Sequence, residues 1–428
     1  MKNILILIAC VLLFCNCKKQ SPDSNTVVSM QIVDRNGFTE TISAQDRIKQ
    51  YQQTNFLEPQ PFQKVLRVYG KSGEGKNHSI LTSYHPNGHI WQSLHVVDGR
   101  AHGPYREWHS NGQLKMELQV IEGFADLEES AQRTWVFEGK NAIWDSQGHL
   151  IAEITYAKGL LHHPSIYYHN NGKVHKIIPY LNNNIEGEVV VYDEGGNTIE
   201  SIFFIESKRH GKAIGYFANL SMQYEERYEN DLLIEGSYYN PCGACQSTIL
   251  DGSGFRPFFS QDKFYSLEEF QNGKPKGLVE LFNSHGIKTG FYHQNDGKKE
   301  GLEVMYYLRD SKDITPQQMK LSLKWHDDLL QGEVKTWYEN GVLESQREFH
   351  QNEKHGVSLA WYPNGELMLM EEYENNKLTK GSYFKKGDKK AVSRIERGNG
   401  MATLYSPDGT FLIKTQYEKG NPIIDPSS

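Results

Sequence analysis

The sequence predicts an all-β fold, an elongated and solenoid-like array of stacked antiparallel β-hairpins in an open sheet. Two observations support this: turn glycines recur every 24 residues, and runs of alternating apolar and polar residues flank the turns. The composition agrees, because 24 Tyr and 38 Gly in 428 residues are typical of many short strands and tight turns. The formal net charge of -7 argues against a nucleic-acid binder.

The N-terminus predicts export. A short basic start, Met1-Lys2-Asn3, precedes an unbroken apolar run over residues 4–14. This run is shorter than the roughly 20 residues that a membrane-spanning helix needs, and it has the length of a signal-peptide core. We therefore expect residues 1–16 to be a signal peptide that is absent from the mature chain.

Cys17 is the candidate lipidation residue. The segment Cys15-Asn16-Cys17-Lys18-Lys19 resembles a bacterial lipoprotein processing site, in which a cysteine becomes the acylated first residue. Phe14 and Cys15 depart from the commonest pattern of such sites. The resemblance implies an exported protein held at the cell envelope by a lipid anchor. The alternative is a secreted or periplasmic soluble protein with Cys17 near the cut by chance.

Four regions follow from this reading. After the signal peptide, residues 17–60 are polar and lack the period, which predicts a lipid-anchored tether and an N-terminal cap. The repeat array is expected over residues 61–424, beginning with a strand at Val65–Tyr69. Residues 425–428 are expected to form a disordered tail.

The 24-residue period appears in two sets of glycines. Turn glycines follow each other at this spacing, as do the glycines that open each unit, such as Gly332 and Gly356. The clearest unit runs from Gly356 to Tyr373, where Asn364-Gly365 separates two alternating runs. We expect Asn-Gly to form a type I′ turn, with both residues at positive φ. The structural turn residues predicted in this way are Asn87, Gly88, Asn111, Gly112, Asn171, Gly172, Asn340, Gly341, Asn364 and Gly365.

The repeated pattern carries a resemblance. An aromatic residue, Asn-Gly, a strand ending in Tyr, a short polar loop and a glycine resemble the bacterial variant of the MORN repeat, also found in YwqK-type antitoxins. The resemblance covers roughly residues 80–420. With the entry segment Val65–Gly70, the chain also resembles a group of exported proteins of obligately intracellular bacteria. This implies a hairpin array with an interaction role, and it transfers no catalytic residue.

Histidines do not predict a metal site. His102, His210 and His355 occupy one repeat position that elsewhere holds Glu, Lys or Gln, which is typical of a solvated loop. His162, His163, His169 and His175 form the densest group. They lack the accompanying Cys, Asp or Glu spacing of a zinc site, so we predict no metal and no cofactor.

Cys242 and Cys245 are the remaining cysteine pair once Cys10 and Cys15 leave with the signal peptide and Cys17 is acylated. In an oxidising compartment the first expectation is a disulfide across a loop tip. A redox-active pair would need a helix N-terminus to lower the thiol pKa, and a zinc site would need two further ligands.

The basic run Lys385-Lys386-Gly387-Asp388-Lys389-Lys390 has two interpretations. It could contact anionic lipid head groups, or it could be a lysine-rich turn that discourages pairing between sheet edges. We favour the turn.

The function predicted from these features is a non-enzymatic, membrane-anchored repeat protein that acts as a protein-interaction scaffold at the cell envelope. The alternative is an antitoxin or immunity protein that neutralises a toxin. The expected partners are an unidentified protein and, through the lipid anchor, the membrane. Neither nucleic acid nor a small-molecule substrate is expected.

Overall fold

The computed structural model describes residues 26–71, 75–308 and 317–423, and these fold almost entirely into β-strands. The chain divides into two compact units, Met1–Asn184 and Ile185–Ser428. In each unit the strands form antiparallel hairpins, which confirms the predicted all-β hairpin array with an open sheet. The predicted signal peptide, Cys17 and the predicted tail over residues 425–428 lie outside the described residues.

The described part of unit 1 contains two four-residue helices, a short 3-10 helix and thirteen complete strands. In chain order they are β1 (Val27–Val33), β2 (Thr39–Ile42), α1 (Gln45–Ile48), the 3-10 helix (Lys49–Tyr51), β3 (Lys64–Lys71), β4 (Asn77–Tyr84), β5 (Ile90–Val97), β6 (Arg100–Trp108), β7 (Leu114–Glu122), α2 (Glu129–Gln132), β8 (Val136–Phe137), β9 (Gly139–Trp144), β10 (Leu150–Ala157), β11 (Leu160–Leu161), β12 (His163–Tyr168) and β13 (Val174–Leu181). The chain divides within the two-residue strand β14 (Asn184–Ile185).

Unit 2 is built from strands and the turns between them in its described part. In chain order the strands are β15 (Gly187–Tyr192), β16 (Thr198–Ile205), β17 (Lys208–Tyr216), β18 (Met222–Glu229), β19 (Leu232–Tyr239), β20 (Cys245–Leu250), β21 (Ser253–Ser260), β22 (Lys263–Gln271), β23 (Lys274–Phe282), β24 (Lys288–Asn295), β25 (Lys298–Lys299), β26 (Gly301–Tyr306), β27 (Met319–His326), β28 (Leu329–Leu330), β29 (Gly332–Trp337), β30 (Leu343–His350), β31 (Glu353–Trp361), β32 (Leu367–Glu374), β33 (Lys377–Tyr383), β34 (Ser393–Glu396), β35 (Asn399–Tyr405), β36 (Phe411–Glu418) and β37 (Asn421–Pro422).

Strand pairing follows chain order. In unit 2, β30 pairs with β29 and β31, and β31 pairs next with β32, always antiparallel. Unit 1 departs from this order at its start, where β1 lies between β2 and β3. The predicted strand at Val65–Tyr69 lies within β3. The elements β1, β2 and α1 precede it in the segment predicted to form the N-terminal cap, and we call these three elements the cap.

The inner face of the repeats is lined by small residues. In β31, Ser358 is 5% exposed whereas its neighbour Val357 is 44% exposed. Ala213, Ser345 and Ala402 are likewise buried. At this point of β31 the small residue is therefore buried and the larger apolar residue of the alternating pattern faces solvent.

Clusters of buried apolar side chains lie at the described start of unit 1 and at two places in unit 2. The cap contributes Met30, Ile32 and Ile42 to a cluster that includes Tyr84 of the first repeat. In unit 2, one cluster forms around Tyr238 and Phe270, and another around Tyr383 and Ile395. A single hairpin is only marginally stable in water. These clusters bury apolar surface that one repeat could not bury alone, and so they stabilise the repeats beside them.

Candidate interaction surfaces

The predicted Asn-Gly residues lie at turns, but the turns are not type I′. At Tyr362–Glu366, the Gly365 N–H donates to Tyr362 O and the Tyr362 N–H to Glu366 O, both at 2.8 Å. Gly365 has a φ of 87°, whereas Asn364 is absent from the residues with positive φ. The predicted type I′ geometry is therefore wrong. The turn is a three-residue loop in which only the glycine is left-handed. The asparagine side chain can therefore make hydrogen bonds outside the loop.

Asparagine side chains join successive turns into a ladder. Asn340 Nδ2 donates to Pro363 O of the next Asn-Gly turn at 3.0 Å, while its Oδ1 accepts from Val342 N–H at 3.1 Å. Asn87 and Asn111 make the equivalent bonds to Ser110 and Ser146. One residue type thus closes its own turn and fixes the spacing to the next.

A second ladder runs along the two-residue turns at the opposite strand ends, and sequence reasoning missed its geometry. Asn375 and Asn376 have φ values of 47° and 65°, so the positive-φ pairs of a type I′ turn occur here. The second residue accepts a backbone bond from the preceding turn, as Asn376 Oδ1 does from Lys354 N–H at 2.8 Å. The available signal was the recurring pair of Asn and Asp residues.

The cysteine pair occupies an Asn-Gly-type turn. Cys242 takes the place of the asparagine, Gly243 has the left-handed φ of 82°, and Cys245 begins β20. Both cysteines are exposed and free in the structure. The disulfide is not formed there and stays a prediction. Neither thiol lies at a helix end that would activate it.

The candidate histidines lie in separate places, and the predicted loop position is wrong, because His102, His210 and His355 lie within β6, β17 and β31. His102 Nδ1 lies 2.8 Å from Ile121 O, the His355 ring lies 6.3 Å from that of His350, and His210 Nδ1 is buried without a partner. The dense group forms two edge-to-face ring pairs, His162 with His163 and His169 with His175. Across the described residues, no three His, Cys, Asp or Glu side chains are placed to hold a metal ion.

The lysine-rich run lies between β33 and β34 and forms a turn. The Asp388 N–H donates to Lys385 O at 2.9 Å, and the Gly387 N–H donates to the Glu366 carboxylate at 2.9 Å. Glu366 belongs to the preceding Asn-Gly turn, so the run continues the stack of turns.

A buried charge cluster occurs in unit 2 and has a second, incomplete copy. Glu226 accepts from the hydroxyls of Tyr228 and Tyr238, each at 2.8 Å, and pairs with Arg256 Nε at 2.7 Å. In the second copy, Glu371 accepts from the hydroxyls of Tyr373 and Tyr383. The place of Arg256, two residues after a glycine with φ of 146°, is taken by Ala402, two residues after Gly400 with φ of 144°.

The two copies share backbone bonds as well as side chains. Gly273 O accepts from Leu233 N–H, and Gly420 O accepts from Leu378 N–H, both at 3.1 Å. The recurring sequence is Glu-x-Tyr-Glu-Asn-x-x-Leu-x-x-Gly-Ser-Tyr, beginning at Glu226 and at Glu371. Unit 2 therefore contains a longer repeat superimposed on the 24-residue period. The pKa of Tyr238 and that of Tyr383 are both raised, mainly because the two side chains are buried. Their hydroxyls therefore stay protonated and donate to the carboxylates at physiological pH.

An exposed apolar patch lies on the outer face of unit 2. Val357 and Met370 are 44% and 48% exposed and line a depression of about 410 Å³. We call this the unit 2 patch; its rim is formed by Glu372, Lys380, Arg394, Glu396 and Arg397. An apolar centre with a charged rim is the usual anatomy of a protein-binding surface.

A groove in unit 1 combines aromatic and ionised side chains. It measures about 1390 Å³ and lies between the turns after β4 and β6 and the loop over residues 126–132. Trp91, Trp108, His85 and His109 contribute its aromatic side chains. Trp108 also packs against the cap cluster, as expected of an aromatic residue used for packing. Sequence reasoning missed this groove, because the loop interrupts the period.

Comparison with known proteins identifies the class of repeat. A family model described as MORN repeat variant matches residues 101–121, 164–182, 330–351 and 354–375. Two of these segments lie in each unit, and they are similar to the MORN repeat variant, as the sequence resemblance implied. The search of curated proteins finds no match.

Among solved structures, a porin-like protein from Bacteroides uniformis aligns with a TM-score of 0.12 and 9% identity, over 72% of this chain and 93% of that chain. The TM-score is too low to relate the two folds. In the described part of the chain, no helix has the length and apolar character to cross a membrane.

Proposed function

We propose that this chain is a MORN-type scaffold that binds a protein partner through the unit 2 patch and has no enzymatic role. The exposed pair Val357 and Met370 carries the proposal, because these two large apolar side chains line the same depression, which has a charged rim. Moving each side chain from water into an apolar contact with a partner would be favourable in free energy. The strands beneath them belong to one of the matched MORN repeats.

The rim of the unit 2 patch suggests the chemistry of the partner. Lys380 is paired with Glu372 at 2.7 Å. Arg394 and Arg397 have no carboxylate partner among the described residues. With that ion pair set aside, the two arginines outnumber the one remaining carboxylate, Glu396, so the rim has an excess of positive charge. We infer a partner that inserts an apolar side chain between acidic residues, since complementary charge speeds association and selects the partner.

The envelope is the proposed site of action. This part of the proposal depends on the apolar segment 4–14 and on Cys17, which lie outside the described residues. A lipid-anchored chain would present its repeats at a membrane surface, where a second envelope protein can be bound.

A capture experiment tests the scaffold. The full chain should retain an envelope protein whose binding can then be reproduced with both proteins purified. Met370→Asp should weaken that binding at least tenfold, because a carboxylate would enter an apolar contact opposite acidic residues. Leu302→Asp is the matched control, since Leu302 is 38% exposed on another strand of unit 2. Equal binding by both variants would reject the unit 2 patch.

The same assay separates the antitoxin alternative. If the chain rescues growth from a co-encoded toxin and Met370→Asp leaves that rescue intact, the scaffold proposal fails. Turnover of a substrate by the purified chain, abolished by a single substitution, would also contradict it.

The anchor has its own test. Cys17→Ser should abolish labelling by a palmitate analogue and release the protein from the detergent phase. Cys15→Ser is the control, since this residue would leave with the signal peptide. Labelling that persists in Cys17→Ser would show that Cys17 is not the acylated residue.

A further inference from the structure

We propose that the groove in unit 1 binds a neutral oligosaccharide, with one sugar ring stacked on the indole of Trp91. The volume of about 1390 Å³ exceeds the 300–1,000 Å³ of an ordinary small-molecule pocket, and it suits several linked sugar residues. The proposed protein-binding role does not involve this groove, which is a separate site on the other unit.

The aromatic platform is held in place before any ligand arrives. Trp91 is 42% exposed, and its ring stacks on that of His85 with centroids 5.5 Å apart and planes at 27°. His85 Nε2 donates to Trp108 O at 2.9 Å, which fixes the imidazole. A rigid aromatic face offers apolar contact to the C–H face of a pyranose ring at little cost in side-chain entropy.

The acceptor beside this platform is also oriented. Glu107 accepts from the Tyr105 hydroxyl at 3.0 Å and from Lys115 Nζ at 2.6 Å. Tyr105 in turn accepts from Gln92, which accepts from Ser83, and Gln92 is 5% exposed. The Glu107 oxygens retain acceptor capacity for ligand hydroxyls because a carboxylate offers about four lone-pair sites.

The opposite wall supplies a second polar pair. Lys64 Nζ donates to Asp126 Oδ1 at 2.7 Å, and Asp126 also accepts from Leu127 N–H. Partial burial alone would raise the pKa of Asp126, but these bonds outweigh it and lower that pKa. The loop is held against the sheet by Trp135, whose ring lies 4.8 Å from that of Tyr105.

Charge balance favours a neutral ligand. Both lysines of the groove are already paired with carboxylates, at Lys64–Asp126 and Lys115–Glu107. The guanidinium of Arg35 donates to four backbone carbonyls around the first Asn-Gly turn. An anionic ligand would have to displace a carboxylate from one of these lysines, whereas sugar hydroxyls can donate to the carboxylates and accept from the lysines without breaking an ion pair.

Strand pairing disfavours an extended peptide as the ligand. The strands that form the floor, β4, β5 and β6, each pair on both sides. They therefore offer no free edge to which a peptide could add as a further strand.

Titration with neutral oligosaccharides tests the proposal. Hexasaccharides of β-1,4-linked glucose and N-acetylglucosamine would be added to the full chain carrying Cys17→Ser, with tryptophan fluorescence and calorimetry as readouts. We expect at least one to bind and Trp91→Ala to weaken it at least tenfold. Trp337→Ala, in unit 2, is the matched control and should leave binding unchanged.

A second variant guards against misfolding. Glu107→Gln keeps the shape and the bond to Tyr105 but removes the charge that holds Lys115, so it should weaken binding while the melting temperature of the chain changes little. Met370→Asp should leave sugar binding intact, which separates this site from the proposed protein-binding patch. Failure of both hexasaccharides to bind, binding that is insensitive to Trp91→Ala, or preference for an anionic hexasaccharide or an unstructured peptide would overturn the proposal.

Discussion

Glycines in the repeats are required for two physical reasons, a left-handed backbone conformation and a lack of space for a Cβ atom. Gly365 has a φ of 87° and open space where a Cβ would project, so its turn needs left-handed backbone and nothing more. Gly400 has a φ of 144°, and a Cβ there would collide with the carbonyl oxygen of Arg394. The first position tolerates a residue that accepts positive φ, whereas the second tolerates only glycine.

These two glycines make a matched prediction. Gly365→Ala should lower the free energy of unfolding of unit 2 by about 1–2 kcal/mol, the cost of left-handed backbone for a residue with a Cβ. Gly365→Asn should recover part of that loss, because Asn visits this conformation more readily. Gly400→Ala should cost more than either, since backbone must move. Urea unfolding measures all three; equal losses at both sites would contradict this account.

Burial of His95 predicts a pH dependence of stability in unit 1. Burial, assisted by Arg106 and Arg67, lowers the pKa of His95 to about 4, compared with about 6.5 in the unfolded chain. The unfolded state therefore binds the proton first, so this contribution is present above about pH 6.5 and is lost as the pH falls through 4. The linked free energy is about 3 kcal/mol.

The measurement is urea unfolding of unit 1 between pH 4 and 8, followed by the fluorescence of its tryptophans. His95→Gln should flatten the loss of stability below pH 6.5, while His102→Gln, at an exposed position of β6, should not. A slope that survives in His95→Gln would assign the effect to other groups.

The sequence predicted the hairpin turns correctly where a residue acts only within its own turn. Asn-Gly marked the turns correctly because Gly must be left-handed there, but the type I′ assignment assumed that Asn was left-handed too. Its side chain is instead extended to the next turn, a contact between repeats that local turn rules do not contain. The inner face was also obscured, since Ser358 and Ala402 are buried although their residue types are not strongly apolar.

The asparagine ladder predicts a separable contribution to stability. Asn340→Ala loses the bond to Pro363 O and the bond from Val342 N–H, which should cost about 1–2 kcal/mol. Asn340→Asp keeps the acceptor and loses the donor, so it should cost less than Asn340→Ala. Chemical denaturation of both variants distinguishes the two bonds; identical losses would mean that the bond within the turn contributes nothing.

At the scale of the whole molecule, the 24-residue period of the sequence predicted where the repeat array lies. It did not predict the groove in unit 1 or the longer repeat in unit 2. The groove depends on loop residues 126–132, which no repeat contains, and on pairings such as Lys64 with Asp126, 62 residues apart. The longer repeat in unit 2 was missed because Glu226 and Glu371 are conspicuous only once their buried tyrosine partners are seen. Contacts between distant residues carry no local signal in the sequence.

Modularity of the repeats in unit 2 predicts that one can be removed in phase. Deleting the 24 residues of 332–355 places Gly356 after Gln331, so every position of the lost repeat is taken by its counterpart. Leu330 N–H, which donates to Asn352 Oδ1, would then meet Asn376, the acceptor that now serves Lys354. Tyr307, which donates to Trp337 O, would likewise meet the carbonyl of Trp361. Both ladders are thus preserved, as expected if each repeat contacts mainly its neighbours.

The matched control is a deletion of 23 residues, 332–354, which leaves one extra residue in the strand. A shift of one residue sends each following side chain to the opposite face, so Ser358 would leave the interior and Val357 would enter it. We expect the 24-residue deletion to keep a cooperative unfolding transition and a strand-type circular dichroism spectrum, and the 23-residue deletion to lose the transition. If both deletions unfold alike, the repeats depend on contacts beyond their neighbours and the modular account is wrong.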